Sequence, residues 1–157
     1  MLNKQGFTLV ELIIVIIILG ILAVYAVPKF ISMDKEARAS VMKNFTGSVK
    51  SASDMVHGLA VAQGKAVSPS AVVDTGRGNV NVAYGYALAT KNGGITVVIN
   101  DDLLDFEIVD DPVGASSTSL TFKHKGAKDS TKCSVTYTFD RGINSYPSIT
   151  NDLSDCG

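Results

Sequence analysis

The sequence predicts an α+β fold in which one long N-terminal helix packs its second half against a small antiparallel sheet. From Leu12 to Val27 there is no charged residue, and from Phe30 onward apolar residues recur at steps of three or four as far as Leu59. Short segments rich in β-branched and aromatic residues follow in the C-terminal half. A single amphipathic helix followed by short strands is typical of an α+β domain.

The apolar segment at the N-terminus is long enough to cross a membrane. Phe7–Val27 spans 21 residues, which is about 31 Å of helix and matches the hydrocarbon core of a bilayer. It contains one charge, Glu11. A carboxylate inside a membrane costs roughly 2.5 to 3.5 kcal/mol and usually marks a function, although a Glu near a helix end can also reach the headgroups.

The helix is predicted to run from about Phe7 to Ala62 and to stop near Gly64. Pro28 removes one backbone hydrogen bond, so a kink or local unwinding is expected there. Gly20 weakens the same stretch by about 1 kcal/mol relative to Ala. The predicted core stripe of the second half consists of Phe30, Met33, Ala37, Val41, Phe45, Val49, Ala52, Val56 and Leu59.

After the helix, residues 66–79 are rich in Ser, Gly, Pro and Asp and predict a loop. Residues 80–90 are ambiguous, and we expect Tyr84-Gly85-Tyr86 to pack near a turn before a short helix. Four strands are predicted, at Ile95–Ile99, Phe106–Val109, Ser119–Lys123 and Ser134–Phe139.

Composition and cysteine usage restrict the environment of the domain. The net charge of −1 gives no support to a strongly basic nucleic-acid-binding face. The two cysteines, Cys133 and Cys156, have neither metal nor redox spacing. As a pair they would close a C-terminal loop by a disulfide worth about 3 kcal/mol in the entropic model, which requires an oxidising compartment; two free thiols are the alternative.

The distribution of basic residues around the apolar segment argues in the other direction. One Lys precedes the segment, and four basic residues follow it closely, which by itself predicts a cytoplasmic domain. The four are Lys29, Lys35, Arg38 and Lys43. We give the cysteine pair more weight, because the resemblance described next agrees with it.

The first 28 residues carry a dense motif. A polar leader with Lys4 is followed by Gly6-Phe7-Thr8-Leu9-Val10-Glu11, then by the apolar run with Gly20, and then by Pro28. This arrangement resembles the type III signal of type IV pilins and of type II secretion pseudopilins.

That resemblance implies a set of roles for these residues. A membrane peptidase cuts between Gly6 and Phe7 and then N-methylates Phe7, and the carboxylate of Glu11 pairs with the N-terminal amine of a neighbouring subunit during filament assembly. It also implies a leader at 1–6, a transmembrane and polymerisation half at 7–29, and a globular head at 30–157. The stretch between Gly20 and Pro28 is then the segment expected to extend in the filament.

A second resemblance points to a branch of the family. Residues 82–89 (VAYGYALA) and the segment Cys133–Thr138 are similar to the mannose-sensitive haemagglutinin type IV pilins, although Ala87 stands where that branch often has Pro. It implies a major pilin of a Gram-negative cell, stored in the inner membrane and then exported as a surface homopolymer for adhesion and biofilm formation. The implied partners are other pilin subunits, the prepilin peptidase/methyltransferase and an inner-membrane assembly machinery.

Other functions remain open at this stage. They are a type II secretion pseudopilin, a DNA-binding minor pilin of a competence pilus, an anchored domain that never polymerises, and a cleaved secretory signal ending near Ala23 or Ala26. No catalytic constellation is present, so we predict no enzyme activity and no cofactor. His57 and His124 lack a partnering motif and are expected to be solvated or to pack.

Two charged clusters have both a functional and a plainer interpretation. One cluster is a group of acidic and amide side chains between residues 100 and 111, which could offer oxygen ligands to Ca²⁺. Helix capping by Asp101 or Asp102 explains the presence of these residues more simply, and we predict no metal. The set is Asn100, Asp101, Asp102, Asp105, Asp110 and Asp111. The basic set could attract DNA phosphates or merely form a charged surface, and we expect nucleic-acid binding to be absent. It consists of Lys123, His124, Lys125, Lys128 and Lys132.

Overall fold

The computed structural model describes residues 6–99, 103–110 and 119–157. Helix α1 runs from Leu9 to Ala62, 54 residues, which corresponds to about 81 Å. Thr8 caps its N-terminus in an extended conformation. At the other end Gly64 has φ +69°, and the Lys65 amide donates to the Ala60 carbonyl at 2.8 Å, a glycine-based C-cap. The predicted helix is confirmed, together with its end near Gly64.

The apolar half of α1 continues without a break through Gly20 and Pro28. Of the kink or local unwinding expected at Pro28, the unwinding does not occur in the single subunit, and a kink stays a prediction. Loss of one intrahelical hydrogen bond at Pro28 is tolerated because the bonds on either side remain. Extension of the segment between Gly20 and Pro28 in a filament stays a prediction.

The second half of α1 packs against the sheets, but its buried face differs in part from the predicted stripe. From Phe45 onward the stripe is correct. Phe30, Met33, Ala37 and Val41 are exposed instead. Five steps of the predicted stripe lead from Phe30 to Val49, a distance of 19 residues. At about 100° per residue, these steps turn about 100° more than five full turns, so Phe30 and Val49 point in directions about 100° apart around the helix axis. The stripe therefore winds around the helix, and its first part faces away from the head. The buried face is formed by Met42, Val49, Ala52, Ser53, Val56 and Ala60.

Two antiparallel sheets cover this face. The first has three strands in the order β1-β2-β3, and the second has four strands in the order β4-β5-β6-β7. The strands of the first are β1 Ala71–Asp74, β2 Asn79–Ala83 and β3 Tyr86–Ala87. Those of the second are β4 Phe106–Asp110, β5 Ser119–His124, β6 Ser134–Thr138 and β7 Ser148–Asp152.

The register of the second sheet places alternate side chains of its central strands in the core. Leu120 pairs with Tyr137 and Phe122 with Val135 across β5 and β6, and all four side chains are buried. The half-buried Phe45 of α1 stacks on Phe106 at a centroid distance of 4.4 Å and meets Phe122 edge-on at 5.1 Å. These contacts fix the helix on the sheet.

One predicted strand is wrong. The segment Ile95–Ile99 forms the short helix α2, Thr96–Ile99, instead of a strand. Ile95 and Val98 are both buried, a helical spacing of three. The Thr96 hydroxyl donates to the Lys91 carbonyl at 2.8 Å, which stabilises a turn at this point.

The other strand predictions need smaller corrections. The strands predicted at 106–109, 119–123 and 134–139 are confirmed as β4, β5 and β6, with β6 ending at Thr138. The predicted loop 66–79 contains β1 and the first residue of β2, the ambiguous segment 80–90 holds the rest of β2 and β3, and β7 was not predicted. Both β1 and β7 lie at sheet edges. The sequence of β1, AVVD, has apolar residues on both its buried and its exposed face, and β7 is almost entirely exposed, so neither sequence carries a clear period-two signal.

The C-terminus is held by a disulfide within the head and by two contacts with helix α1. Cys133 and Cys156 form the predicted disulfide, and both are buried. Next to it, the Lys35 ammonium forms an ion pair with the Asp155 carboxylate at 2.9 Å. The Arg38 guanidinium donates to the Cys156 carbonyl at 3.1 Å. The last residues of the chain are therefore held against the first turns of the head half of α1.

Candidate functional site

The N-terminal site begins in non-helical backbone. Gly6, Phe7 and Thr8 precede helix α1, and the Phe7 side chain is 89% exposed. The peptide bond between Gly6 and Phe7 thus lies one residue before the helix cap. Exposed non-helical backbone of this kind is the usual target of proteolysis.

Glu11 and Thr8 form a reciprocal capping box. The Glu11 Oε2 atom accepts hydrogen bonds from the Thr8 amide and the Thr8 hydroxyl, both at 2.8 Å. The Glu11 amide donates back to Thr8 Oγ1 at 3.3 Å. This box satisfies two amide groups at the helix N-terminus. Only one carboxylate oxygen is used, and Glu11 Oε1 makes no hydrogen bond with the part of the chain that the structure describes, so it can accept a further donor.

The surface behind Glu11 is apolar on every side. Each large hydrophobic side chain of this half is at least 42% exposed, and α1 is long and apolar enough to cross a membrane. Soluble proteins rarely expose so large a continuous apolar area, so this half requires lipid or other apolar helices around it. The exposed set begins at Leu9 and includes Ile13, Ile16, Leu19, Leu22, Tyr25 and Val27.

The residues singled out in the sequence fall into separate places. Gly6, Phe7 and Glu11 lie together at the start of α1, whereas Gly20 and Pro28 lie further along it. The Cys133–Cys156 disulfide is in the head. His57 stacks on Tyr86, and His124 meets the Phe106 ring edge-on, so both histidines have packing roles.

The charged clusters are only partly within the described residues, where their members have separate contacts. Asn100, Asp101, Asp102 and Asp111 lie outside the described residues, and among those described no group of three metal-ligating side chains occurs. Asp110 accepts a hydrogen bond from the Lys91 amide at 2.9 Å. In the basic run, Lys125 Nζ donates to the Leu104 carbonyl at 2.7 Å and Lys132 pairs with Asp129 at 3.4 Å.

Several carboxylates of the head have lowered pKa values. The hydrogen bond from Lys35 lowers the pKa of Asp155, assisted by the Gly157 amide and the Lys35 charge. Hydrogen bonds from Thr131 lower the pKa of Asp129, and those from Ser154 lower the pKa of Asp152. Each lowered pKa reflects a hydrogen bond that favours the ionised form.

The sequence reasoning missed a second candidate site in the head. A cavity of about 350 Å³ lies between the end of α1 and the segment before β7, and its walls include His57, Tyr84, Tyr86, Asn144 and Tyr146. The Tyr84-Gly85-Tyr86 turn was noted in the sequence. Tyr146 lies sixty residues further on, and only the fold brings it there.

Comparisons with known proteins agree with the N-terminal geometry. Residues 1–27 match the model of the prokaryotic N-terminal methylation motif. The chain is 28% identical over 106 residues to the type IV major fimbrial protein of Dichelobacter nodosus, covering 57% of this chain and 68% of that protein. It is 37% identical over 65 residues to the type IV narrow pilus major component of Thermus thermophilus, covering 41% of this chain and 53% of that protein.

A third relative comes from a secretion system. The chain is 40% identical over 53 residues to the type II secretion system core protein G of Pseudomonas aeruginosa, covering 34% of this chain and 37% of that protein. The matches to the Thermus thermophilus and Pseudomonas aeruginosa proteins span between about one third and one half of the length of those proteins. No solved structure matches the chain. The chain therefore carries the N-terminal methylation motif of type IV prepilins and is homologous to type IV major pilins.

Proposed function

We propose that this chain is the precursor of a structural subunit, the major pilin, of a type IV pilus that serves adhesion and biofilm formation. The observation that carries the proposal is the methylation motif at residues 1–27, within which the Gly6–Phe7 bond lies on exposed non-helical backbone directly before an apolar helix that is open on all sides. Adhesion and biofilm formation rest on the resemblance to the mannose-sensitive haemagglutinin branch. The role is structural and does not involve catalysis.

Processing takes place at the start of α1. The prepilin peptidase/methyltransferase removes residues 1–6 by cutting between Gly6 and Phe7, and it methylates the new amine of Phe7. Because Thr8 already has the extended conformation of a helix cap, cleavage leaves the helix from Leu9 onward unchanged. The mature subunit then has a membrane and polymerisation half at 7–29 and a head at 30–157.

Assembly depends on the two charges at the N-terminus. An unpaired amine or carboxylate in hydrocarbon is costly, and the carboxylate of Glu11 retains an oxygen, Oε1, that can accept the Phe7 amine of a neighbouring subunit. Pairing is possible only at one stagger between subunits, so it selects the register of the filament more than it adds net stability. Apolar helix contacts supply the cohesion.

The subunit has two successive locations. The precursor is held in the inner membrane by α1 and is then extracted by an inner-membrane assembly machinery into an extracellular homopolymer on a Gram-negative cell. Extraction moves the apolar half from lipid into a core of neighbouring helices. Gly20 and Pro28 weaken the backbone between them and let that segment extend as the subunits pack.

The test is the intact mass of the protein in material sheared from the cell surface. The expected mass lacks Met1–Gly6, carries one added methyl group, and is two hydrogens lighter because of the Cys133–Cys156 disulfide. A mass that retains the leader would reject the pilin function and leave an anchored domain.

The second candidate is a type II secretion pseudopilin, which is favoured by the similarity to the secretion system core protein over 53 residues. The same measurement separates the two. A protein that is cleaved and methylated in the membrane fraction, but absent from the sheared fraction, indicates a pseudopilin or a minor pilin.

A further inference from the structure

The head contains a groove lined by tyrosines near the C-terminal end of α1. Two cavities of about 350 and 410 Å³ adjoin there, each within the size range of ligand pockets. Tyr86 and Tyr146 line both cavities and so form the wall that separates them. Tyr84 lines the first cavity and Pro147 the second. We call these two cavities the tyrosine groove.

The aromatic wall is held in place from behind. The ring of Tyr86 stacks on His57 at a centroid distance of 4.2 Å and an interplanar angle of 5°, and the His57 ring lies against the Gly85 carbonyl at 3.2 Å. Tyr146 meets Tyr86 edge-on at 5.9 Å and remains 74% exposed. Tyr86 is therefore fixed, whereas Tyr146 presents most of its ring to solvent.

The polar groups of the groove have no partners in the described part of the chain. The hydroxyl groups of Tyr84, Tyr86 and Tyr146 make no hydrogen bond to a residue that the structure describes, and neither do the Asn144 amide and the Ser145 hydroxyl. The groove therefore places hydrogen-bond donors and acceptors beside apolar side chains. Such a lining suits a ligand that is apolar in part and offers carbonyl groups.

The backbone of the groove adopts an uncommon conformation. Among the residues described, the non-glycine residues with positive φ are Tyr84 at +47°, Arg141 at +49° and Asn144 at +67°. Two of these line the first cavity, and Arg141 lies in the same loop as Asn144. Strained conformations of this kind concentrate at binding sites, where surrounding contacts maintain them.

The charge of the groove favours an uncharged occupant. Among the residues that the structure describes, no Asp, Glu, Lys or Arg lines the first cavity. The second is lined by one Lys and one Asp, Lys50 and Asp54, whose charges cancel. An ion or a strongly charged peptide would find no net complementary charge here.

We infer that the tyrosine groove binds a proline-rich segment of another protein in the polyproline II conformation. Such a segment repeats every three residues with a rise of about 3.1 Å per residue and has no internal hydrogen bonds, so its proline rings lie on regular faces and its carbonyls are free. Aromatic-lined grooves recognise this conformation because it is already formed before binding. One proline ring occupies each cavity on either side of the Tyr86–Tyr146 wall, and the free hydroxyl and amide groups donate to the peptide carbonyls.

The experiment uses the full chain in a nonionic polyoxyethylene detergent with two fluorescein-labelled probes, decaproline and a Gly-Ser repeat of ten residues. Fluorescence anisotropy is expected to show saturable binding of decaproline, displaced by unlabelled decaproline, and no saturable binding of the Gly-Ser peptide. Equal binding of the two probes, or no binding of decaproline, overturns the inference. If the fraction of decaproline bound falls as the protein concentration rises, a second copy of this chain competes for the groove. That result would also overturn the inference.

Three variants connect binding to the groove. Tyr146→Ala removes an exposed ring and is expected to weaken decaproline binding about tenfold or more. Tyr146→Phe removes only the hydroxyl and should have a smaller effect, and Asn144→Gly removes the amide while permitting the positive φ. Leu104→Ala is the control, since Leu104 is also a large exposed apolar residue and does not appear in the lining of either cavity. Unchanged affinity in Tyr146→Ala, in a variant with the circular dichroism of the parent, would contradict the inference.

Discussion

The Tyr137 hydroxyl donates a hydrogen bond of 2.8 Å to the Ala87 carbonyl, fifty residues earlier in the chain. Tyr137 belongs to β6 of the four-stranded sheet and Ala87 to β3 of the three-stranded sheet, so this bond links the two sheets. Both residues are fully buried, and burial raises the pKa of Tyr137 well above its ordinary value. The two sheets are thereby joined through a side chain as well as through α1.

Tyr137→Phe is expected to lower the free energy of unfolding by about 1 kcal/mol, since it removes this bond and keeps the ring. The measurement is urea unfolding of the full chain in detergent, followed by circular dichroism. Tyr146→Phe is the matched control, because its hydroxyl makes no hydrogen bond to a described residue. Equal midpoints for the two variants would show that the bond between the sheets adds nothing to stability.

Loss of the disulfide should destabilise the head more strongly. Cys133 and Cys156 are 23 residues apart, and loop closure of that size is worth about 3 kcal/mol in the chain-entropy model. The double variant Cys133→Ser/Cys156→Ser is expected to unfold at a clearly lower urea concentration than the oxidised parent. Adding a reductant should lower the midpoint of the parent and leave that of the variant unchanged; a midpoint of the parent that is insensitive to reduction would refute this.

The ion pair between Lys35 and Asp155 makes the head sensitive to acid. The pKa of Asp155 is lowered in the folded state by the Lys35 hydrogen bond, so the unfolded chain binds this proton more readily. The stabilisation is present above the unfolded pKa of Asp, about 3.9, and is lost as the pH falls through the lower folded value. Asp155→Asn should therefore flatten the fall in stability between about pH 5 and pH 2.

The control for this pH series is Asp54→Asn. Asp54 is exposed and forms no ion pair with the described residues, so its replacement should leave the acid limb of the stability curve as in the parent. If Asp155→Asn and the parent lose stability in parallel below pH 5, Asp155 does not contribute through its ionised form.

Glu11→Gln tests the assembly role proposed for the carboxylate. The amide keeps the size of the side chain but removes its charge, so subunits should still be cleaved and methylated while the yield of sheared filaments falls sharply. Glu36→Gln is the matched control on the exposed surface of the same helix. Normal filament yield from Glu11→Gln would remove Glu11 from the assembly mechanism.

Gly6→Ala tests the cleavage site. The substitution has room, since nothing lies within 4 Å of an added Cβ at Gly6, so any effect comes from the peptidase and not from the fold of the subunit. The precursor is expected to accumulate with residues 1–6 attached, as read from its intact mass. Gly20→Ala also has room for the added Cβ and should be processed normally; processing of Gly6→Ala at the rate of Gly20→Ala would contradict the assigned site.

The parts of this molecule that were predictable from sequence depend on local or repeated signals. Helix α1 has a long apolar run, a cap at Thr8 and a glycine end at Gly64, and each signal lies within a few residues of the structure it determines. The N-terminal motif is equally local. The three confirmed strands are rich in β-branched and aromatic residues, and two of them lie at the centre of a sheet, where burial strengthens the alternating pattern.

The errors arise where distant contacts decide the structure. The exposure of Phe30 and Met33 has two causes: the predicted stripe winds around α1, which the helix sequence does contain, and the sheets begin to cover α1 only further along, which it does not. Ile95–Ile99 has the composition of a strand, but contacts of Thr96 with the preceding turn make it helical. The tyrosine groove joins residues that are sixty positions apart, and no local pattern links Tyr86 to Tyr146.

The contacts of Lys35 and Arg38 with the C-terminus show how far the head lies from the proposed processing site at the start of α1. Lys35 lies 26 residues beyond Leu9, the first residue of α1, so about 39 Å of helix separates the start of α1 from the ion pair of Lys35 with Asp155. The proposed cut after Gly6 would therefore be made far from the contacts that hold the head, where the Cys133–Cys156 disulfide lies. We therefore expect the proposed cleavage and the formation of the disulfide to be independent of each other, so that either can take place first.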